Sequence, residues 1–335
     1  MKKKKIIIVG AGISGLYLAL RLQEKYEVKI LEARNRVGGR IHSINGHDMG
    51  PSWIWPHQRN TLELCASLGI ELFSQYTNGY ALYDTKEKLE LFVSSSTSSS
   101  VRVNGSLTLL VKKLQEYLES CEIILNAEVT QIKQIQEHTV IQTSSKEYIS
   151  DYAIVTLPPR LSANIQFTPE LPPKLLTKMQ NTQTWMGNSA KCVVEFKKPF
   201  WREKGLSGFV FSNLGPLSEI HDACTKDKAA LFGFVNLRAD MNTLKKDVVL
   251  QMKRLFKIDE SEITAIYAVD WKKEPFSSVC EDSQGLATHP SYGIDTQEYS
   301  QKIFFSATEF SFEEGGYIEG AVVQAKKIIS SLVAL

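Results

Sequence analysis

The chain of 335 residues lacks three things, and each absence removes a class of function. No apolar run approaches the roughly 18 residues that a membrane-spanning helix requires, the C-terminal "KKIISSLVAL" included. Charge of one sign is not in excess: the net value is +2, which offers no electrostatic case for nucleic acid or an anionic membrane. Cysteine is sparse, with five residues at 65, 121, 192, 224 and 280. They are odd in number, widely spaced and without a CxxC pair, which points to reduced thiols, no disulfide framework and no metal site. The lysine run Lys2 to Lys5 leads into "IIIVG", too short for the apolar core of a signal peptide. A cytoplasmic protein is the expectation, with its oligomeric state left open.

The remaining composition, 43% hydrophobic and 23% charged, is ordinary for a soluble globular chain with a sizeable core. Residues 5–9 form an apolar β run, 14–25 ("SGLYLALRLQEK") repeat apolar residues at helical spacing, and 27–32 ("EVKILE") form a second strand. Strand, glycine turn, helix and strand make a βαβ unit and imply a parallel sheet. Further helices are expected over 60–70, over 106–119 behind Asn104-Gly105-Ser106, over 244–256 and from about 317 to 333. Between 122 and 156 the period becomes two, which suggests an antiparallel meander from "EIILN" onward that returns to a buried strand. "SSSTSSS" (94–100) reads as a mobile connector without chemistry. Prolines 158, 159, 169, 172 and 173 punctuate a crossover before the β-rich 188–271.

In "VGAGISG", Gly10, Gly12 and Gly15 hold GxGxxG spacing between a strand and a helix. Gly10 permits the tight turn, Gly12 lets backbone approach a pyrophosphate, and Gly15 allows close helix–strand packing. The helix N-terminus then offers amides and partial positive charge to phosphates. Glu32 ends the second strand, where a carboxylate accepts hydrogen bonds from a ribose diol and repels a 2′-phosphate. Dinucleotide binding follows.

The continuation "EARNRVGGRI" (32–41) resembles the second phosphate-contacting segment of the FAD-dependent amine oxidase family. "DMGPSWIWP" (48–56), "AEVTQI" (127–132), "AIVTLPP" (153–159), "AKCVVEFKKPFW" (190–201) and "FFSATEFSFEEGGYIEGAV" (304–322) extend the resemblance in order over nearly the whole chain. It implies FAD as cofactor, bound by Gly10, Gly12, Ser14, Gly15, Glu32, Arg34, Gly39 and Arg40. Val129 would hold the adenine edge through its backbone, and Glu309 would accept bonds from the ribityl or phosphate end. Ile318 would present its N–H near flavin N1 and O2, and Trp53 would lie near the isoalloxazine. A helix N-terminus at Ile318 suits the negative charge that reduced flavin carries there.

The resemblance also gives a role to Lys191, which heads the apolar run "AKCVVEF". An unpaired ammonium there is costly to desolvate, and by itself the segment reads more simply as a lysine snorkelling from a sheet edge. The family lysine holds a water against flavin N5, and it orients hydride removal and favours the reduced flavin. Tyr317 matches one wall of the family's aromatic cage, which steers the substrate nitrogen. The sequence departs at the second wall, where Glu281 stands for an aromatic residue; Trp271, Phe276 or Tyr292 could supply the ring. Cys280 falls where monoamine oxidases bond flavin covalently, and Glu281 could attract a second cationic nitrogen or simply be solvated. A long helical insertion of the family is reduced to 73–102.

These readings imply an α/β fold with a GxGxxG-type, Rossmann-like FAD-binding domain (1–72, 103–185, 271–335) and a smaller β-rich α+β substrate domain (73–102, 186–270). The expected activity is oxidation of a small-molecule amine's C–N bond by hydride transfer to flavin N5, with O2 as acceptor. The alternatives are C–C desaturation, as in protoporphyrinogen oxidases, and a non-catalytic flavin-binding role.

Overall fold

The computed structural model describes residues 3–93, 100–283, 288–296 and 298–333; most of the serine-rich connector lies outside them. A five-stranded parallel sheet runs in the order Ile303–Phe305, Tyr152–Val155, Lys5–Val9, Glu27–Leu31, Cys121–Ile124. Its central strands Lys5–Val9 and Tyr152–Val155 are buried on both faces, which is why they read as continuous apolar runs rather than alternating ones. One face packs on the helices Ile13–Leu22, Thr108–Glu116 and Ile318–Val333 through Leu16, Leu110 and Val322. Each such buried aliphatic side chain contributes about 1.5–3 kcal/mol. The other face packs on the small sheet Glu147–Ser150, His138–Thr143, Val129–Ile135, Gln166–Thr168.

Two differences from the sequence reading have simple causes. The "EIILN" run pairs with Glu27–Leu31 in the parallel sheet and not with the meander, because alternation identifies a strand but not its partner. The helix expected over 106–119 begins at Thr108. Ser106 has φ 95°, and its hydroxyl accepts the Thr108 N–H at 3.1 Å, so the polar residue closes a turn before the helix.

A seven-stranded sheet forms the second layer: Ile263–Asp270, Ala190–Phe196, Ala229–Val235, Leu217–Asp222, Leu206–Ser212, Tyr80–Asp84, Leu89–Phe92. On the strand Ala190–Phe196, Cys192, Val194 and Phe196 join a core with Val248, Met252 and Leu255 of the helix Leu244–Phe256. Alternation puts Lys191 and Val193 on the opposite face, where Val193 meets Phe232 and Met49. That face closes onto the cofactor-type half of the chain, and a cavity opens at the junction.

Candidate active site

The cavity holds about 880 Å³ and extends from the first βαβ turn to the face of the seven-stranded sheet. At one end, Gly10 has φ +104°, a left-handed conformation that favours glycine. A Cβ at Gly15 would sit 2.1 Å from the Gly10 carbonyl oxygen, so the strand and helix can meet only if that side chain is absent. A Cβ at Gly12 would meet nothing within 4 Å, and Gly12 lines the cavity with Ser14 and Gly39. Bare backbone and a helix N-terminus therefore border the space, and the first amides of a helix have no partner within it. The Ser14 hydroxyl donates to the Ser306 carbonyl, which ties this turn to the strand end at 303–305.

Glu32 is buried and accepts the Ala11 N–H at 2.7 Å and the Arg34 N–H at 2.9 Å. A carboxylate has about four acceptor positions, so capacity for a diol remains. Arg34 lines the same end and donates to Ser277 Oγ at 2.8 Å and Glu274 at 3.2 Å. Val129 and Phe276 border this end too, and Val129 opens a strand irregularity before Gln131. Arg40 reaches the cavity from the Gly38-Gly39 turn. Glu309 lies behind Arg40. It is fully buried, it is not among the lining residues, and its two oxygens hold Arg40 at 2.6 and 3.2 Å. Its carboxylate orients the guanidinium from behind.

At the other end Lys191 is 4% exposed and lines the wall with Trp53, Phe232 and Trp271. Its Nζ donates to the Gly50 carbonyl at 2.9 Å and Ser52 Oγ at 2.5 Å, and lies 4.1 Å from the Phe232 ring centroid. An ammonium has three donors, so two are placed by protein. Burial lowers the Lys191 pKa to about 7; Asp48 opposes the shift and Arg102 reinforces it. Asp48 is in turn pushed up by burial. The lysine is no snorkelling edge residue: its strand is flanked on both sides.

Ile318 opens the last helix, and with Gly316 and Tyr317 it borders the cavity. Tyr317 stacks on His289 at 5.2 Å and 2°. Of the rings considered for the second wall, Trp271 borders the Lys191 end, Phe276 the Glu32 end, and Tyr292 does not line the cavity; its hydroxyl donates to the Gln183 carbonyl at 2.7 Å. Trp185, which sequence reasoning missed, lines the cavity beside Gly316 and packs 4.6 Å from His289. Cys280 and Glu281 are exposed and off the cavity wall.

Two further polar residues were not legible. Glu219 lines the cavity near Phe234, its register partner, and pairs with His221 at 2.6 Å. Thr184 lines it with a buried hydroxyl. Among the described residues, no group of His, Cys, Asp and Glu could hold a metal ion and no helix is long and apolar enough to cross a membrane.

A glycine-bordered helix N-terminus, a diol-type carboxylate and a long cavity fit FAD. The family model for flavin containing amine oxidoreductase matches residues 13–96 and 84–328. Amine oxidase [flavin-containing] A of Canis lupus familiaris is 24% identical, over 95% of this chain and 82% of that protein. In fold, the chain is similar to putrescine oxidase solved with putrescine (TM-score 0.84, 20% identity, 99% of both chains). It is equally similar to cyclohexylamine oxidase from Brevibacterium oxydans IH-35A (TM-score 0.84, 15% identity, 99% of both chains). The chain belongs to the flavin-containing amine oxidoreductase family and is an FAD-dependent oxidoreductase of α/β fold.

Proposed function

We propose that this enzyme oxidises the C–N bond of a small primary or secondary amine, and that a short diamine is its best substrate. Bound FAD supplies a two-electron acceptor at N5, the imine product hydrolyses, and O2 restores the oxidised cofactor with release of H2O2. In this reading residues 1–72, 103–185 and 271–335 hold the cofactor, and 73–102 with 186–270 present the substrate. Gly10, Gly12, Ser14, Gly15, Gly39 and Arg40 cradle the pyrophosphate, while Glu32, Arg34 and Val129 take the adenosine. Ile318 brings a helix N-terminus to the flavin end, and Trp53 walls the flavin.

The observation that carries the reading is the buried lysine. A lysine near its neutral point in an aromatic wall can hold or release a proton at Nζ within the working pH range. Gly50 and Ser52 fix two of its directions. Tyr317 and Trp185 offer ring faces to a substrate nitrogen. In Lys191→Met, FAD stays bound and flavin reduction or reoxidation slows about a hundredfold or more. Stopped-flow rates unchanged in both half-reactions contradict this role.

The diamine reading rests on Glu219. It stands two strands from Lys191, across Phe234, or roughly 10 Å between backbones. A carboxylate at that distance suits the second ammonium of a short aliphatic diamine whose first nitrogen meets the reacting end. The related putrescine oxidase solved with putrescine is consistent with such a ligand. In Glu219→Gln, the KM for diamines rises about ten- to a hundredfold, the effect of one charge-assisted bond lost, while monoamine kinetics stay level. Equal effects on both classes refute the assignment.

A further inference from the structure

We propose that His221 is a positioning residue for amine specificity, and that it holds the Glu219 carboxylate in place for the second ammonium of a diamine. The proposal rests on the diamine reading of Glu219. The two residues stand two apart on the strand Leu217–Asp222, so their side chains share one face of the sheet. Glu219 lines the cavity with 35% of its side chain exposed, whereas His221 is 17% exposed and does not line it.

The His221 ring is fixed by its neighbours. Phe209 stacks on it at 4.8 Å and 20°, and Phe232 at 5.3 Å and 28°. These two rings come from the strands on either side of Leu217–Asp222, so they hold the imidazole from opposite flanks. Trp53 meets it edge-on at 4.8 Å and 82°, and Trp53 is itself tied through its Nε1–H to Gln75 Oε1 at 2.8 Å.

From this clamp His221 Nε2 reaches Glu219 Oε1 at 2.6 Å. An ionised carboxylate only accepts, which assigns the proton of this bond to Nε2. The register partners of Glu219 on the flanking strands are Phe234 and Phe211, and neither side chain can donate a hydrogen bond, so the hold comes from His221. A glutamate side chain loses much rotamer freedom when it is ordered. A bond made before the substrate arrives removes that cost from binding. The bond engages Oε1 and leaves Oε2 to accept from an ammonium.

The test uses the holoprotein with putrescine and, as the monoamine of the same chain length, butylamine. His221→Phe keeps a ring between Phe209 and Phe232 and removes the donor. His221→Gln keeps a donor at about the same reach and removes the ring. In His221→Phe the KM for putrescine rises about three- to tenfold, the effect of one hydrogen bond lost, while KM and kcat for butylamine stay level. His221→Gln returns the putrescine KM toward wild type. In a Glu219→Gln background, His221→Phe adds no further change for putrescine, because the two residues act through one bond. An unchanged putrescine KM in His221→Phe overturns the proposal. A lowered one overturns it too, because the imidazole would then compete with substrate for the carboxylate. A change of equal size for both amines, or one that persists in the Glu219→Gln background, overturns it as well and marks His221 as packing alone. Failure of the diamine reading looks different: Glu219→Gln by itself then treats putrescine and butylamine alike, and the proposal falls with it.

Discussion

Lys191 carries a consequence for pH. Its pKa falls from the ordinary 10.5 to about 7 because burial disfavours the charged form. The unfolded chain binds that proton up to about pH 10.5, whereas the folded chain releases it above about pH 7. The stability penalty is therefore full below pH 7 and fades as pH rises toward 10.5. Lys191→Met lacks the penalty, so it melts above wild type at pH 6, and thermal scans show the gap narrowing toward pH 10. A gap independent of pH would contradict a buried, depressed lysine. Flavin reduction in wild type carries an inflection near pH 7 that the methionine variant lacks. Cys280 gives a second residue-scale prediction. Its thiol is exposed and outside the cavity wall, so acid precipitation releases all flavin into the supernatant. Flavin that stays with the chain would refute this. Lys191 stands out in the sequence as a charge at the head of an apolar strand, but only the family resemblance gives it a role there. For Glu309, motif spacing places a residue near the pyrophosphate but does not say which way the side chain points; its carboxylate faces Arg40.

Among the elements, the glycine turn and its helix were the most legible. Strand, turn and helix follow one another locally, so propensity and spacing suffice. A methyl group at Gly15 meets the Gly10 carbonyl oxygen at 2.1 Å, a backbone atom that cannot swing aside, with Ile8 Cγ2 behind it at 3.2 Å. Gly15→Ala must then push the helix Ile13–Leu22 off its strand, at about 1–3 kcal/mol, and withdraw its amides from the cofactor. The variant should purify with little FAD and melt earlier than wild type. A yellow variant with wild-type melting would contradict the close approach. Thr184, Trp185 and Glu219 were hidden for the opposite reason. Glu219 reaches the wall only through the antiparallel register that sets it against Phe234, and Thr184 through a carboxylate 98 residues away. Neither contact leaves a local periodic trace. The parallel partner of Cys121–Ile124 was hidden in the same way.

Across the whole molecule, the division of labour follows from two sheets meeting at one cavity. The parallel sheet brings helix N-termini and Glu32 to its rim, and the seven-stranded sheet brings Lys191, Phe232, Phe234 and Glu219 to the opposite wall. A cofactor held by the first layer is thereby presented to groups on the second. Tyr80–Asp84 and Leu89–Phe92, from the short 73–102 region, form the edge of the seven-stranded sheet. An anaerobic absorbance titration of the yellow holoprotein against monoamines, diamines, polyamines and amino acids tests this account most directly. The oxidised flavin band should bleach at the lowest concentrations with a short diamine and recover on admission of air. A flavin band unmoved by every amine would contradict amine oxidation as the function of this site.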